Sequence, residues 1–78
     1  MQHHVPTKVV VHYQLRSFAG DRVITAHYDI VGTAFRIPTL NERLRKGGRW
    51  YKITRVTWDL DSSPMSQEVV IVAEEMNG

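Results

Sequence analysis

The sequence predicts an all-β domain: a small antiparallel barrel or sandwich of five to six strands, built from two hairpins. Three observations carry that expectation. Apolar residues recur with a period of two along much of the chain. Two tight-turn signals, Gly20-Asp21 and Gly47-Gly48, each sit between such alternations. Helical spacing is nearly absent.

The first hairpin is read from residues 7–31. Val9, Val11, Tyr13 and Leu15 alternate with Val10, His12, Gln14 and Arg16, and Ile24, Ala26, Tyr28 and Ile30 repeat the period. A type II′ turn on Gly20-Asp21 would pair Ala19 with Arg22. Counting outward, Leu15 then faces Ala26, Tyr13 faces Tyr28, and Val11 faces Ile30, with both apolar stripes on one side. The opposite side would pair Gln14 with His27 and His12 with Asp29. Residues 32–42 are less regular. Phe35 and Ile37 can extend a short strand before Pro38 interrupts it. Thr39 to Arg45 fits one helical turn, or entry into a strand at Glu42.

The second hairpin turns on Gly47-Gly48, a type I′ signal. It pairs Lys46 with Arg49, Arg45 with Trp50, Leu44 with Tyr51, Arg43 with Lys52 and Glu42 with Ile53. Leu44, Tyr51 and Ile53 share one face; Arg43, Arg45, Trp50 and Lys52 share the other. The apolar phase then jumps by three to Val56, Trp58 and Leu60, as a β-bulge at Thr54-Arg55 would produce. That phase places Trp58 in the core. After a polar loop at 61–66 that contains Pro64, residues 67–75 (QEVVIVAEE) are apolar on both sides, which predicts a central or covered strand.

Seventy-eight residues make one domain, taken as residues 7–76 behind a flexible N-terminus at 1–6. There is no cysteine and no apolar leader, and the longest apolar runs are too short to span a bilayer, so a cytoplasmic protein without membrane contact is expected. The net charge of +2 hides a strong asymmetry: residues 43–55 hold six of the ten Lys and Arg residues and no acid, while Asp59, Asp61, Glu68, Glu74 and Glu75 follow.

Residues 41–60, NERLRKGGRWYKITRVTWDL, resemble the bulged hairpin G-D/E-x-V-x-x-x-G-x-x-Y-x-V-x-x-V of small SH3-like barrels. Such hairpins occur in nucleic-acid-associated barrels and in phage head–tail joining proteins. The resemblance covers about a quarter of the chain and implies a barrel. It departs at its start, where the usual glycine is Asn41.

The working surface expected from the residues is the basic hairpin: Arg43, Arg45, Lys46, Arg49, Trp50, Lys52 and Arg55. Cations with an interleaved aromatic offer phosphate contacts and a stacking plane. The competing reading makes these residues a solvated face, with Lys52 and Arg55 paired to Glu68, Glu74 or Glu75 and Arg45 stacked on Trp50. Lys46 opposite Arg49 and Arg43 opposite Lys52 each cost about 0.2–1 kcal/mol, which favours an external anion.

Catalysis is not expected. No serine is placed as a nucleophile for His12, and no phosphate loop, dinucleotide fingerprint or flanking carboxylate pair occurs. No cofactor is implied, and no metal, since His3, His4, His12, His27 and Asp29 lack a convergent spacing. The expectation is a binding module for nucleic acid or an acidic protein surface. The alternative is a small phage-type inhibitory or assembly protein acting through an apolar sheet face or edge, with homodimerisation through Val70 and Val72.

Overall fold

A computed structural model describes residues 8–29, 36–61 and 66–77. Five strands form one sheet: β1 (Lys8–Arg16), β2 (Arg22–Asp29), β3 (Arg43–Lys46), β4 (Arg49–Asp59) and β5 (Ser66–Glu75). Their order is β2-β1-β5-β4-β3, with no helix among the described residues. The all-β expectation holds, and the last strand is central, as its two-sided apolar pattern requires.

The antiparallel barrel or sandwich is corrected in two respects. The sheet is mixed, because β1 and β5 run parallel from Lys8↔Ser66 to Arg16↔Glu74 while the other three ladders are antiparallel. Period-two patterning fixes which side chains share a face but says nothing about a neighbour's direction. The described strands also make a single sheet whose edges, β2 and β3, are not bonded to each other. Phe35 lies outside the described residues, as does the N-terminal segment with His3 and His4, while Ile37, expected to continue a short strand with Phe35, lies in no strand and packs against the core.

The first hairpin forms in a shifted register. Val11 meets Ala26 and Tyr13 meets Ile24, so each β1 residue finds its partner four positions earlier in β2 than the Gly20-Asp21 turn predicts. The chain reverses instead around Phe18-Ala19. Gly20 N–H donates to the Ser17 carbonyl at 3.1 Å, and the Ser17 hydroxyl accepts from Ala19 N–H at 3.0 Å. An even shift leaves every side chain on its predicted face, which is why the core survives it. Opposite His12 now stands Thr25 rather than Asp29, and opposite Gln14 stands Val23 rather than His27.

One face of the three inner strands makes the core. Val9, Val11 and Leu15 come from β1, Tyr51 and Ile53 from β4, and Val69, Ile71 and Ala73 from β5. Ile24, Tyr28, Ile37, Leu44 and Val56 pack around them. Burying each large aliphatic contributes about 1.5–3 kcal/mol. Trp58 departs from its expected core position. It follows Val56 on the inward side but is 50% exposed, and Leu60 beyond it is 86% exposed. Trp58 pairs with Val69 one residue before β4 ends at Asp59, at the margin of the sheet.

The sheet curls so that β2 and β3 face each other across a cavity of about 300 Å³. Tyr13, Leu15, Ile24, Ala26 and Tyr28 line one side, and residues 44–46 line the other. At its upper end the Arg22 guanidinium comes within 4.0 Å of where a Gly47 side chain would begin. The Tyr13 and Tyr28 hydroxyls hydrogen-bond at 2.9 Å, and burial, then this bond, pushes the Tyr13 phenol well above its ordinary pKa.

Candidate functional site

The basic hairpin forms in the predicted register. Lys46↔Arg49, Arg45↔Trp50, Leu44↔Tyr51 and Arg43↔Lys52 pair as the type I′ turn requires, with Gly47 at φ 60° and Gly48 at φ 78°. Glu42 and Asn41 extend the pairing through bonds to the Ile53 backbone at 2.9 and 3.0 Å. Asn41, which stands where the resembling pattern carries glycine, has φ 69°. Asparagine is one of the few residues that enters the left-handed region cheaply.

The bulge falls where the phase jump places it, between Ile53 and Arg55. The Thr54 hydroxyl there donates to the Val72 carbonyl at 3.4 Å. The extra residue turns Arg55 outward opposite Val72 and returns Val56 to the core opposite Ile71. Arg43, Arg45, Trp50, Lys52 and Arg55 therefore share the outer face. Lys46 and Arg49 do not join them. They fall on the side of Leu44 and Tyr51, Lys46 lining the cavity and Arg49 at the inner rim.

Ion pairing is distributed differently from the solvated-face expectation. Glu75, at the end of β5, accepts from Arg49 Nη1 at 3.2 Å and from Phe18 N–H at 3.0 Å. Arg49, close to the turn, is thus the cation that the acidic strand neutralises. Among the described residues, Arg43, Arg45, Lys52 and Arg55 have no carboxylate within 4.0 Å. Arg45 lies over the Trp50 ring, 5.5 Å from its centroid, and the ring remains 45% exposed. That pair is the stacked arrangement the residues predict, and it contributes roughly 0.5–1 kcal/mol.

The parallel ladder adds a cation that sequence reasoning missed. Glu74 pairs with Lys52 on β4 and with Arg16 on β1, so one row of the outer face reads Arg43, Lys52, Glu74, Arg16. Three cations share one acid there. No local signal marks Arg16, because only the β1–β5 neighbour relation brings it to the site. At the other end of the same face stand Asp59 and Glu68, which pair with each other across β4 and β5. The outer surface is therefore polarised along the strands, with positive charge gathered at the double-glycine end.

The remaining candidates settle elsewhere. Both edges of β5 are occupied by β1 and β4, so Val70 and Val72 could meet another copy only through the sheet face. Val72 there is just 9% exposed. His12 uses both ring nitrogens, Nδ1 with the Thr25 hydroxyl at 3.1 Å and Nε2 with Glu68 Oε1 at 2.9 Å. Among the described residues no three His, Asp or Glu side chains converge on a metal position.

A brace holds the entry to β3. Arg36 donates to both Glu42 oxygens, at 2.9 and 2.6 Å, and Thr39 N–H donates to Glu42 Oε1 at 2.6 Å. The Arg36 guanidinium, followed by the Thr39 amide, lowers the Glu42 carboxyl from 4.5 to about 2. A carboxyl depressed in the folded state contributes stability above its unfolded pKa and loses it as pH falls through the folded one. Glu42→Gln is therefore expected to flatten the acid limb of a stability–pH curve between pH 4.5 and 2. Urea midpoints taken across that window check it; parallel curves for the two proteins would refute the brace.

No known protein family matches the chain, and no curated protein or solved structure is significantly similar to it. Among the described residues no helix is long and apolar enough to cross a membrane.

Proposed function

We propose that this protein is a non-enzymatic binding module that engages an anionic macromolecule, nucleic acid foremost, through the outer face of the β3–β4 hairpin. The observation that carries the reading is the set Arg43, Arg45, Lys52 and Arg55, unpaired among the described residues beside a half-exposed Trp50. A polyanion along that face would relieve the Arg43–Lys52 opposition, and a base could share the Trp50 plane with Arg45. An acidic protein surface would use the same cations without the stacking contribution. The bulge and the left-handed Asn41 support likening the hairpin to SH3-like barrels. A cytoplasmic setting belongs to this reading.

The test is a fluorescence titration with single-stranded oligothymidylate across a salt series. Arg43→Ala with Lys52→Ala removes two outward cations and no core contact. The double variant should bind more weakly, with a log–log salt slope shallower by about 1.4, two contacts at roughly 0.7 each. Absent binding at low salt, or a slope the double variant leaves unchanged, refutes the reading.

The second reading, an inhibitory or assembly protein of phage type that meets its partner through a sheet edge, has a specific observation in its favour. The outer edges of β2 and β3 are both unpaired among the described strands.

A further inference from the structure

We infer that the seam between β2 and β3 accepts an extended, acid-ended peptide segment of a partner protein as an added strand. The inference rests on the second reading above and gives it a place and an occupant. It concerns the inner side of the sheet and is independent of the outer cations.

Three features converge at the seam. β2 is an edge strand, so the alternate backbone groups of Val23–His27 that point away from β1 have no strand partner among the described residues. Such a row is a template for strand addition. Beside it lies the cavity, where Ile24 and Ala26 from β2 face Leu44 from β3. Every second side chain of an added strand would point into that space. The third feature is charge. Arg22 begins β2 and Lys46 ends β3, and because β2 and β3 run in opposite directions these cations stand at the same end of the seam. Neither is ion-paired among the described residues.

The two cations select the occupant's polarity. A strand antiparallel to β2 leaves the seam beside Arg22, which brings its C-terminal carboxylate to Arg22 and Lys46, whereas the opposite orientation would bring its N-terminal ammonium there. The chemistry that fits is an alternating apolar segment closing on carboxylates. A second copy of this chain offers no such free strand among its described residues, because its acid-ended strand, β5, is already paired on both sides.

The experiment uses the full chain, a peptide of alternating threonine and valine ending in two aspartates, and the same peptide ending in two lysines. Hydrogen exchange is followed by NMR. At saturation the aspartate peptide should slow the outward-pointing amides within Val23–His27 by about tenfold or more, and it should bind about tenfold tighter than the lysine peptide. Lys46→Glu, which leaves Arg22 facing one acid, should abolish that preference, while Arg43→Ala with Lys52→Ala should leave it intact. Equal protection by both peptides overturns the acid-ended occupant but leaves edge binding standing. Protection by neither overturns both. Displacement of the peptide by laurate, with no slowing of β2 amides, would make the cavity an amphiphile site and also overturn the inference.

Discussion

Ile71→Ala is expected to lower the stability of this protein by about 2–5 kcal/mol, the range for emptying a fully buried aliphatic position. Ile71 has no solvent exposure. It lies on the central strand β5, opposite Tyr13 of β1 and Val56 of β4, so its removal opens a void that three strands would have to collapse together. At roughly 0.05–0.15 kcal/mol per residue, a chain of 78 residues has a total stability of about 4–12 kcal/mol. The substitution therefore removes a large fraction of it. Leu60→Ala, at an exposed position, should cost no more than about 0.5 kcal/mol. Urea unfolding checks both, with the midpoint falling and the slope unchanged for Ile71→Ala. A loss below about 1 kcal/mol at Ile71 would mean that β1, β5 and β4 do not share the core described.

Legibility in the sequence followed the range of the interactions involved. The second hairpin was fully readable because its register depends on neighbours: Gly47-Gly48 sets the pairing and Leu44, Tyr51 and Ile53 agree with it. The bulge was readable because one extra residue shifts the apolar phase from Ile53 to Val56. The first hairpin was half readable. Its faces come from alternation, but a register moved by four keeps the same faces, so the pattern could not choose between turns. Ser17, whose carbonyl and hydroxyl capture Gly20 and Ala19, made the choice. The parallel contact of β1 with β5 was not readable, since it joins segments more than fifty residues apart and no turn specifies it. Its consequence for the site is direct: Arg16 joins the cationic end only through that contact. The pairing of Arg49 with Glu75 was missed because both side chains occupy the inner rim, where a count of opposing outer-face charges does not look.

Gly48→Val is expected to have the second large effect, about 1–2 kcal/mol or somewhat more, because a β-branched residue would have to hold φ 78° in a region that penalises a Cβ. Space is not the obstacle, as a side chain at Gly48 would meet no atom within 4 Å. The cost is in the backbone, and the control follows from the chain itself. Gly48→Asn should be tolerated far better, because Asn41 already holds φ 69° a few residues away. The hairpin cannot escape the strain by slipping one residue. A slip would turn Leu44 outward and carry Arg43 and Arg45 toward a core that includes fully buried Ile53. Strain and misregister are thus the only choices for the valine variant, and each disturbs the stacking of Arg45 on Trp50. Near-ultraviolet circular dichroism should show a weakened tryptophan signal in Gly48→Val and a nearly native one in Gly48→Asn. Equal stability for the two variants would mean that the corner does not require the left-handed backbone on which the outward display of cations depends.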